Sequence, residues 1–224
     1  IVTLSLVSFF SLFFFIWRQL TYKYPIVNLK VLKDTNLRVG TILSFIMGFG
    51  LYGSTFIIPI YTQSILGWTA TDAGLLLIPS SLMTAFMMPI IGQLLQKGVP
   101  QKYLVALGFL MFFFFTFWMY NVMTPDTGEE YMYWPLIIRG LGLGLLFVPI
   151  TTLSLSTLKG KSIGEGAAFT GMMRQLGGSF GIAIITTFIA RFSQEHRVNL
   201  IANIDATKTQ VQDRITRLQH GFMA

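Results

Sequence analysis

Six long apolar runs alternate with short polar stretches along the chain, at residues 1–17, 39–61, 73–95, 103–123, 133–155 and 167–192. A helix crosses a bilayer with about 20 mostly apolar residues, so each run predicts a membrane span. The first looks clipped. Pro59, Pro79, Pro89 and Pro149 fall inside the runs, which lipid-buried helices tolerate when neighbours satisfy the freed backbone groups. The pattern therefore predicts an all-α, polytopic membrane domain over 1–192. Residues 18–38 read as a cytoplasmic interfacial linker, with Ile26, Val27, Leu29, Val31 and Leu32 set among lysines. Residues 193–224 read as an amphipathic extracytoplasmic loop, cut short, in which Val211, Ile215, Leu218 and Phe222 recur at helical spacing and Gly221 offers a C-cap.

Lysine and arginine in short loops mark the cytoplasmic side. The first connection carries Arg18, Lys23, Lys30, Lys33 and Arg38, the third Lys97 and Lys102, and the fifth Lys159 and Lys161. The intervening loops 62–72 and 124–132 have none, and the second holds Asp126, Glu129 and Glu130. Those two loops face outward. Arg191, Arg197, Lys208, Arg214 and Arg217 in and beside the tail go against this parity, which longer loops obey less strictly.

Composition narrows the class. Of 224 residues, 53% are hydrophobic and only 11% charged, against roughly 25% charged in a soluble domain. The absence of cysteine removes disulfides and thiolate sites. Most of the net charge of +7 comes from loops that set topology, so no nucleic-acid partner is expected. The chain opens on Ile1 inside an apolar run, and a fragment of a longer protein is expected.

An internal echo adds to this. Gly50, Pro59, Ile60 and Thr62 recur at the same mutual spacing as Gly140, Pro149, Ile150 and Thr152. The two sets stand an odd number of spans apart, so their helices run oppositely, as in the inverted three-helix repeats of transporters. The glycines at 140, 142 and 144 lack the strand and water-exposed turn of a phosphate loop. Gly140 with Gly144, and Gly177 with Gly181, instead have the small-xxx-small spacing of close helix packing, a role also expected of Gly178 and Pro149.

Arg139 and Arg174 are the charged residues well inside apolar spans. A central arginine costs on the order of 2.5 to 3.5 kcal/mol to insert, so each needs a reason to be there. Arg139 stands in the outer third of its span, within snorkelling reach of the interface. Arg174 stands about 12 Å deep at 1.5 Å per residue, where it should face a partner helix or a wet cavity. Both are candidates for substrate contact or gating, against a structural alternative of bonding backbone carbonyls. Tyr52, Tyr61, Gln63 and Gln175 are further cavity candidates, each equally readable as interfacial or packing material. No Asp or Glu lies within any span. His196 and His220 sit in the tail without acids at ligand spacing, so no metal site is expected. No Ser or Thr in the spans has a base beside it, so no catalytic residue is assigned and the chain is not expected to be an enzyme.

Four segments carry a resemblance. Residues 25–37 (PIVNLKVLKDTNL) are similar to the "hPhhdLxlFxxrnF" linker, 66–75 (LGWTATDAGL) to the "lGysalxAGl" outer turn, 147–153 (FVPITTL) to "hxPlttl", and 174–181 (RQLGGSFG) to "RxxGgsxG". All four, in this order, characterise the fourteen-helix drug:proton antiporters of the major facilitator superfamily, of the multidrug-export and quaternary-ammonium-resistance type. By that resemblance the chain is a C-terminal half with six transmembrane helices, about the eighth to the thirteenth. At 92–97 (GQLLQK), where the superfamily's "GxLaDr" loop can recur, Gln96 replaces the acid. The family's proton-coupling acid and antiporter glycine-proline motif belong to the other half.

The resemblance implies proton-coupled multidrug efflux by alternating access in the inner (cytoplasmic) membrane. It needs no cofactor beyond the proton gradient. The implied partners are small amphipathic or cationic substrates, membrane lipids and the N-terminal half, and the resemblance also admits a periplasmic adaptor and an outer-membrane channel. An exporter of another solute, such as a siderophore or lipid precursor, and a non-transporting membrane scaffold are the alternatives.

Overall fold

A computed structural model describes residues 2–21, 32–125 and 127–203. The described residues form helices α1 (Val2–Thr21), α2 (Thr35–Ser64), α3 (Ala70–Leu75), α4 (Ile78–Gln96), α5 (Gln101–Val122), α6 (Glu129–Leu155) and α7 (Lys161–Asn203). Among the described residues, five candidate membrane spans are long and apolar enough to cross a bilayer: α2, α3 with α4, α5, α6, and residues Ser162–Glu195 of α7. The tail pattern from Val211 to Phe222, and the linker residues from Ile26 to Val31, lie outside the described residues.

Local signals set the helix ends. Asp34 caps α2 by accepting the Leu37 N–H at 2.9 Å. Thr69 caps α3 through the Asp72 N–H at 3.2 Å, and its own hydroxyl donates to the Asp72 carboxylate at 2.7 Å. α4 stops in a Schellman turn. The Gly98 and Val99 N–H groups return to the Leu95 and Leu94 carbonyls at 3.1 and 3.2 Å, and Gly98 takes the φ of 85° that the motif requires and a β-carbon resists. Pro100 then caps α5. One expected run is interrupted. Residues 73–95 read as a single span, but a turn at Leu76 and Leu77 separates α3 from α4, because Pro79 has no N–H to offer the Leu75 carbonyl.

α6 is the central helix. Met132, Leu136, Leu143, Leu145, Leu146 and Ile150 are buried along its length. Toward one end, Leu136 and Met132 join Ile58, Tyr61, Leu76, Phe115 and Met119 in a core shared by α2, the α3–α4 turn and α5. Deeper along the bundle, Met47, Val105, Leu146 and Ile150 form a second cluster. Ile91, Leu104 and Leu145 form a third on the α4 and α5 side.

Glycine sets the spacing of these helices. A β-carbon on Gly140 would overlap the Ser80 carbonyl oxygen, and one on Gly144 would strike the Met87 side chain, so α6 and α4 meet nearly backbone to backbone. Gly108 of α5 leaves room for the Leu146 side chain of α6. On the other side, Gly177 and Gly181 of α7 abut the Phe45 and Phe49 carbonyls of α2. The contacts advance together along both chains, so α2 and α7 run parallel. α2 and α6, meeting at Gly40 with Ser154 and again at Met47 with Ile150, run antiparallel.

The outer faces remain apolar. Leu110, Phe113 and Phe117 on α5, and Leu82 and Phe86 on α4, are more than half exposed. Large apolar faces of this extent need a hydrocarbon solvent, and the chain is a multi-pass membrane protein. From Ala183 the chain forms a second compact unit. Within it Phe188 stacks on Phe192, with centroids 6.2 Å apart.

Candidate functional site

The two intramembrane arginines have opposite surroundings. Arg139 is only 4% exposed, so it does not snorkel. Its Nε donates to Ser54 Oγ at 3.0 Å, Nη1 to Ser80 Oγ at 3.1 Å, and Nη2 to the Leu51 carbonyl at 3.4 Å and to Thr55 Oγ1. Ser54 and Thr55 in turn donate to the Leu51 carbonyl at 3.0 and 2.7 Å, leaving their lone pairs for the guanidinium. A charge without a carboxylate is thus held by neutral oxygens from α2 and α4. The arrangement ties three helices together.

Arg174 is half-buried on α7. Its guanidinium lies over the Phe147 ring of α6, 4.6 Å from the centroid, and its backbone lies against Gly48 of α2, one turn before Tyr52. Among the described residues its Nε is buried without a hydrogen-bond partner. Tyr52 is itself positioned by Gly178, whose missing β-carbon leaves room for the ring. Phe45 and Phe180, with centroids 5.8 Å apart, close the same α2–α7 seam. Three helices therefore converge on an aromatic-walled cation whose Nε is unpaired among the described residues.

The remaining residues singled out from sequence separate. Tyr61 is 7% exposed and donates its hydroxyl to the Thr124 carbonyl at 2.5 Å, inside the core rather than beside Arg174. Gln63, at the end of α2, and Gln175 are exposed. Pro149 is fully buried in α6. A hollow of about 440 Å³ lined by Leu95, Gly98, Val99, Pro100, Lys102 and Leu153 lies at the α4–α5 turn, and none of these candidates lines it. No group of three metal-ligating side chains occurs among the described residues.

Sequence reasoning missed Phe147 as Arg174's partner and Ser54, Thr55 and Ser80 as Arg139's cage. A signal existed for the second. Adjacent hydroxyls at 54 and 55 in an apolar helix are candidates for bonding a buried charge.

The family model of the Major Facilitator Superfamily matches residues 1–182. The chain is 32% identical to the fatty acid resistance protein FarB of Neisseria gonorrhoeae, over 99% of this chain and 44% of that protein. It is 27% identical to the multidrug export protein EmrB of Escherichia coli K12, over 98% of this chain and 43% of the other. It is likewise 27% identical to the lincomycin resistance protein LmrB of Bacillus subtilis, over its whole length and 46% of that protein. The chain spans less than half the length of these relatives.

Proposed function

The chain belongs to the major facilitator superfamily, a family of transporters and not of enzymes, and we propose that it forms six spans of a drug-type exporter working by alternating access. In this reading α1 supplies the first span, and α2, α4, α6 and α7 line one side of a central pathway. The other side comes from the rest of the full-length protein, which also handles the coupling protons, since no acid lies within the apolar runs of this chain. Lysine-bearing loops face the cytoplasm, and the protein resides in a cytoplasmic membrane, with an adaptor and outer-membrane channel as further partners where a second membrane exists. Relatives named for fatty acid resistance, multidrug export and lincomycin resistance support amphipathic small molecules as substrates.

The observation that carries the reading is Arg174. An arginine deep in an apolar span is costly to keep and marks a functional path by default. This one rests on Phe147 beside Tyr52 with its Nε unpartnered among the described residues. Arg139, by contrast, is fully engaged in holding helices together.

The test is export by the full-length protein in a host lacking its own pumps. Energised cells should accumulate less of several amphipathic fluorescent compounds than vector controls, and a protonophore should erase the difference. Equal accumulation across the panel, with the protein present in the membrane, would overturn the reading.

A further inference from the structure

We infer that Arg174 recognises the anionic headgroup of an amphipathic substrate, and that the site on this chain selects carboxylates rather than the cationic compounds the sequence resemblance implies. This rests on the reading of the chain as part of an exporter.

Charge balance comes first. Asp34, Asp72, Glu129, Glu130, Glu165 and Glu195 are the acids among the described residues; the first five stand at or near the start of a helix, and Glu195 follows Arg174 by 21 residues on α7. The nearest in sequence, Glu165, is nine residues before Arg174 on the same helix, about 13 Å away along the axis. A cationic headgroup entering this seam would meet a cation and no counter-charge. An anionic one would meet a guanidinium whose Nε has no acceptor among the described residues.

Donor geometry points the same way. Arg139 shows how this fold satisfies a guanidinium that is purely structural: Nε, Nη1 and Nη2 all have oxygens. Arg174 receives no such cage. The Phe147 ring lies under the guanidinium, 4.6 Å from its centroid to Cζ, and Nε alone of the three nitrogens is buried without a partner among the described residues, which leaves Nη1 and Nη2 as the donors for two bonds to a carboxylate. The aromatic walls, Tyr52, Phe147 and the Phe45–Phe180 pair, suit the apolar part of the same molecule.

The experiment uses full-length protein in energised inverted vesicles and three probes with one acyl chain length: laurate, dodecyltrimethylammonium and neutral monolauroylglycerol. Wild type should prefer laurate over the cation. Arg174→Gln should cut laurate transport by about 10- to 100-fold, the range of a lost charge-assisted bond, while monolauroylglycerol transport stays near wild type and reports that the variant is folded. Arg174→Lys keeps the charge but not the fork, and should retain an intermediate laurate preference. If Arg174→Gln does not accumulate in the membrane, Arg174→Lys decides: a retained preference for laurate over the cation upholds the inference, and indifference to headgroup charge overturns it.

Two outcomes sink the inference and leave the exporter reading standing. One is equal loss of all three probes in a folded Arg174→Gln, which would make the arginine structural. The other is wild-type indifference to headgroup charge or preference for the cation, as an acid supplied to Arg174 by the rest of the protein would produce. Transport of none of the three probes by wild type would overturn the exporter reading itself and the inference with it.

Discussion

Gly177 of α7 lies against the Phe45 carbonyl of α2 so closely that a β-carbon on the glycine would overlap the oxygen. Backbone cannot yield there as the tip of a side chain can. The same helix provides a contrast, because Gly171 has nothing within 4 Å of where its β-carbon would be. Helix-to-helix distance across the α2–α7 seam is therefore set at a few positions, among them Gly48 against the Arg174 backbone and Gly178 against the Tyr52 ring.

Gly177→Ala should destabilise the protein by about 1–3 kcal/mol, the cost of forcing an extra carbon into a packed contact. Gly171→Ala should be neutral or gain up to about 1 kcal/mol from better helix propensity. Thermal unfolding of the purified full-length protein in detergent separates the two. Equal midpoints for both variants would mean that the seam can open without cost.

Arg139→Lys should lower stability by roughly 1.5–3 kcal/mol, because hydrogen bonds to a charged donor carry about that much each. One ammonium cannot reach Ser54 and Thr55 on α2 and Ser80 on α4 as the guanidinium does. Transport by whatever folded protein remains should keep its substrate preference, since the cage is closed to ligand. A changed headgroup preference in Arg139→Lys would refute the structural assignment.

How much of this was legible beforehand follows from the range of each interaction. The apolar runs are local signals, and the structure realises them as helices. Gly98 and Thr69 act locally too, but glycine and threonine are common in such runs and do not stand out from sequence. Pro79 stands inside a run whose hydrophobicity reads as continuous, so the α3–α4 turn does not show in the pattern. Arg139's partners on α2 and α4 lie more than fifty residues away in sequence, and nothing in its own neighbourhood distinguishes it from Arg174. Phe147 sits in an apolar helix rich in equivalent residues, and only the antiparallel approach of α6 to α2, with α7 alongside, brings its ring under a guanidinium.

Tyr61→Phe removes a single hydroxyl that donates to the Thr124 carbonyl. The expected loss is about 0.5–1.5 kcal/mol, a typical net hydrogen bond, or somewhat more because the carbonyl loses its partner. Export should be unaffected, which distinguishes Tyr61 from Tyr52 next to Arg174. A Tyr61→Phe protein of normal stability that fails to transport would return Tyr61 to the pathway.

Asp34 gives the N-terminal end of α2 a pH dependence. Its carboxylate accepts the Leu37 N–H, and that bond, followed by the Thr157 hydroxyl, holds its pKa below the ordinary 3.8. A depressed folded pKa means that the ionised form is favoured in the native state. The cap's contribution is therefore complete above 3.8 and is lost as the pH falls through the lower, folded value. Asparagine caps helices about as well without titrating, so Asp34→Asn should match wild type at neutral pH and lose less of its melting temperature on acidification. Asp34→Ala should melt lower at neutral pH and converge toward wild type in acid. Parallel melting curves against pH for wild type and Asp34→Asn would show that the ionised cap does not stabilise α2.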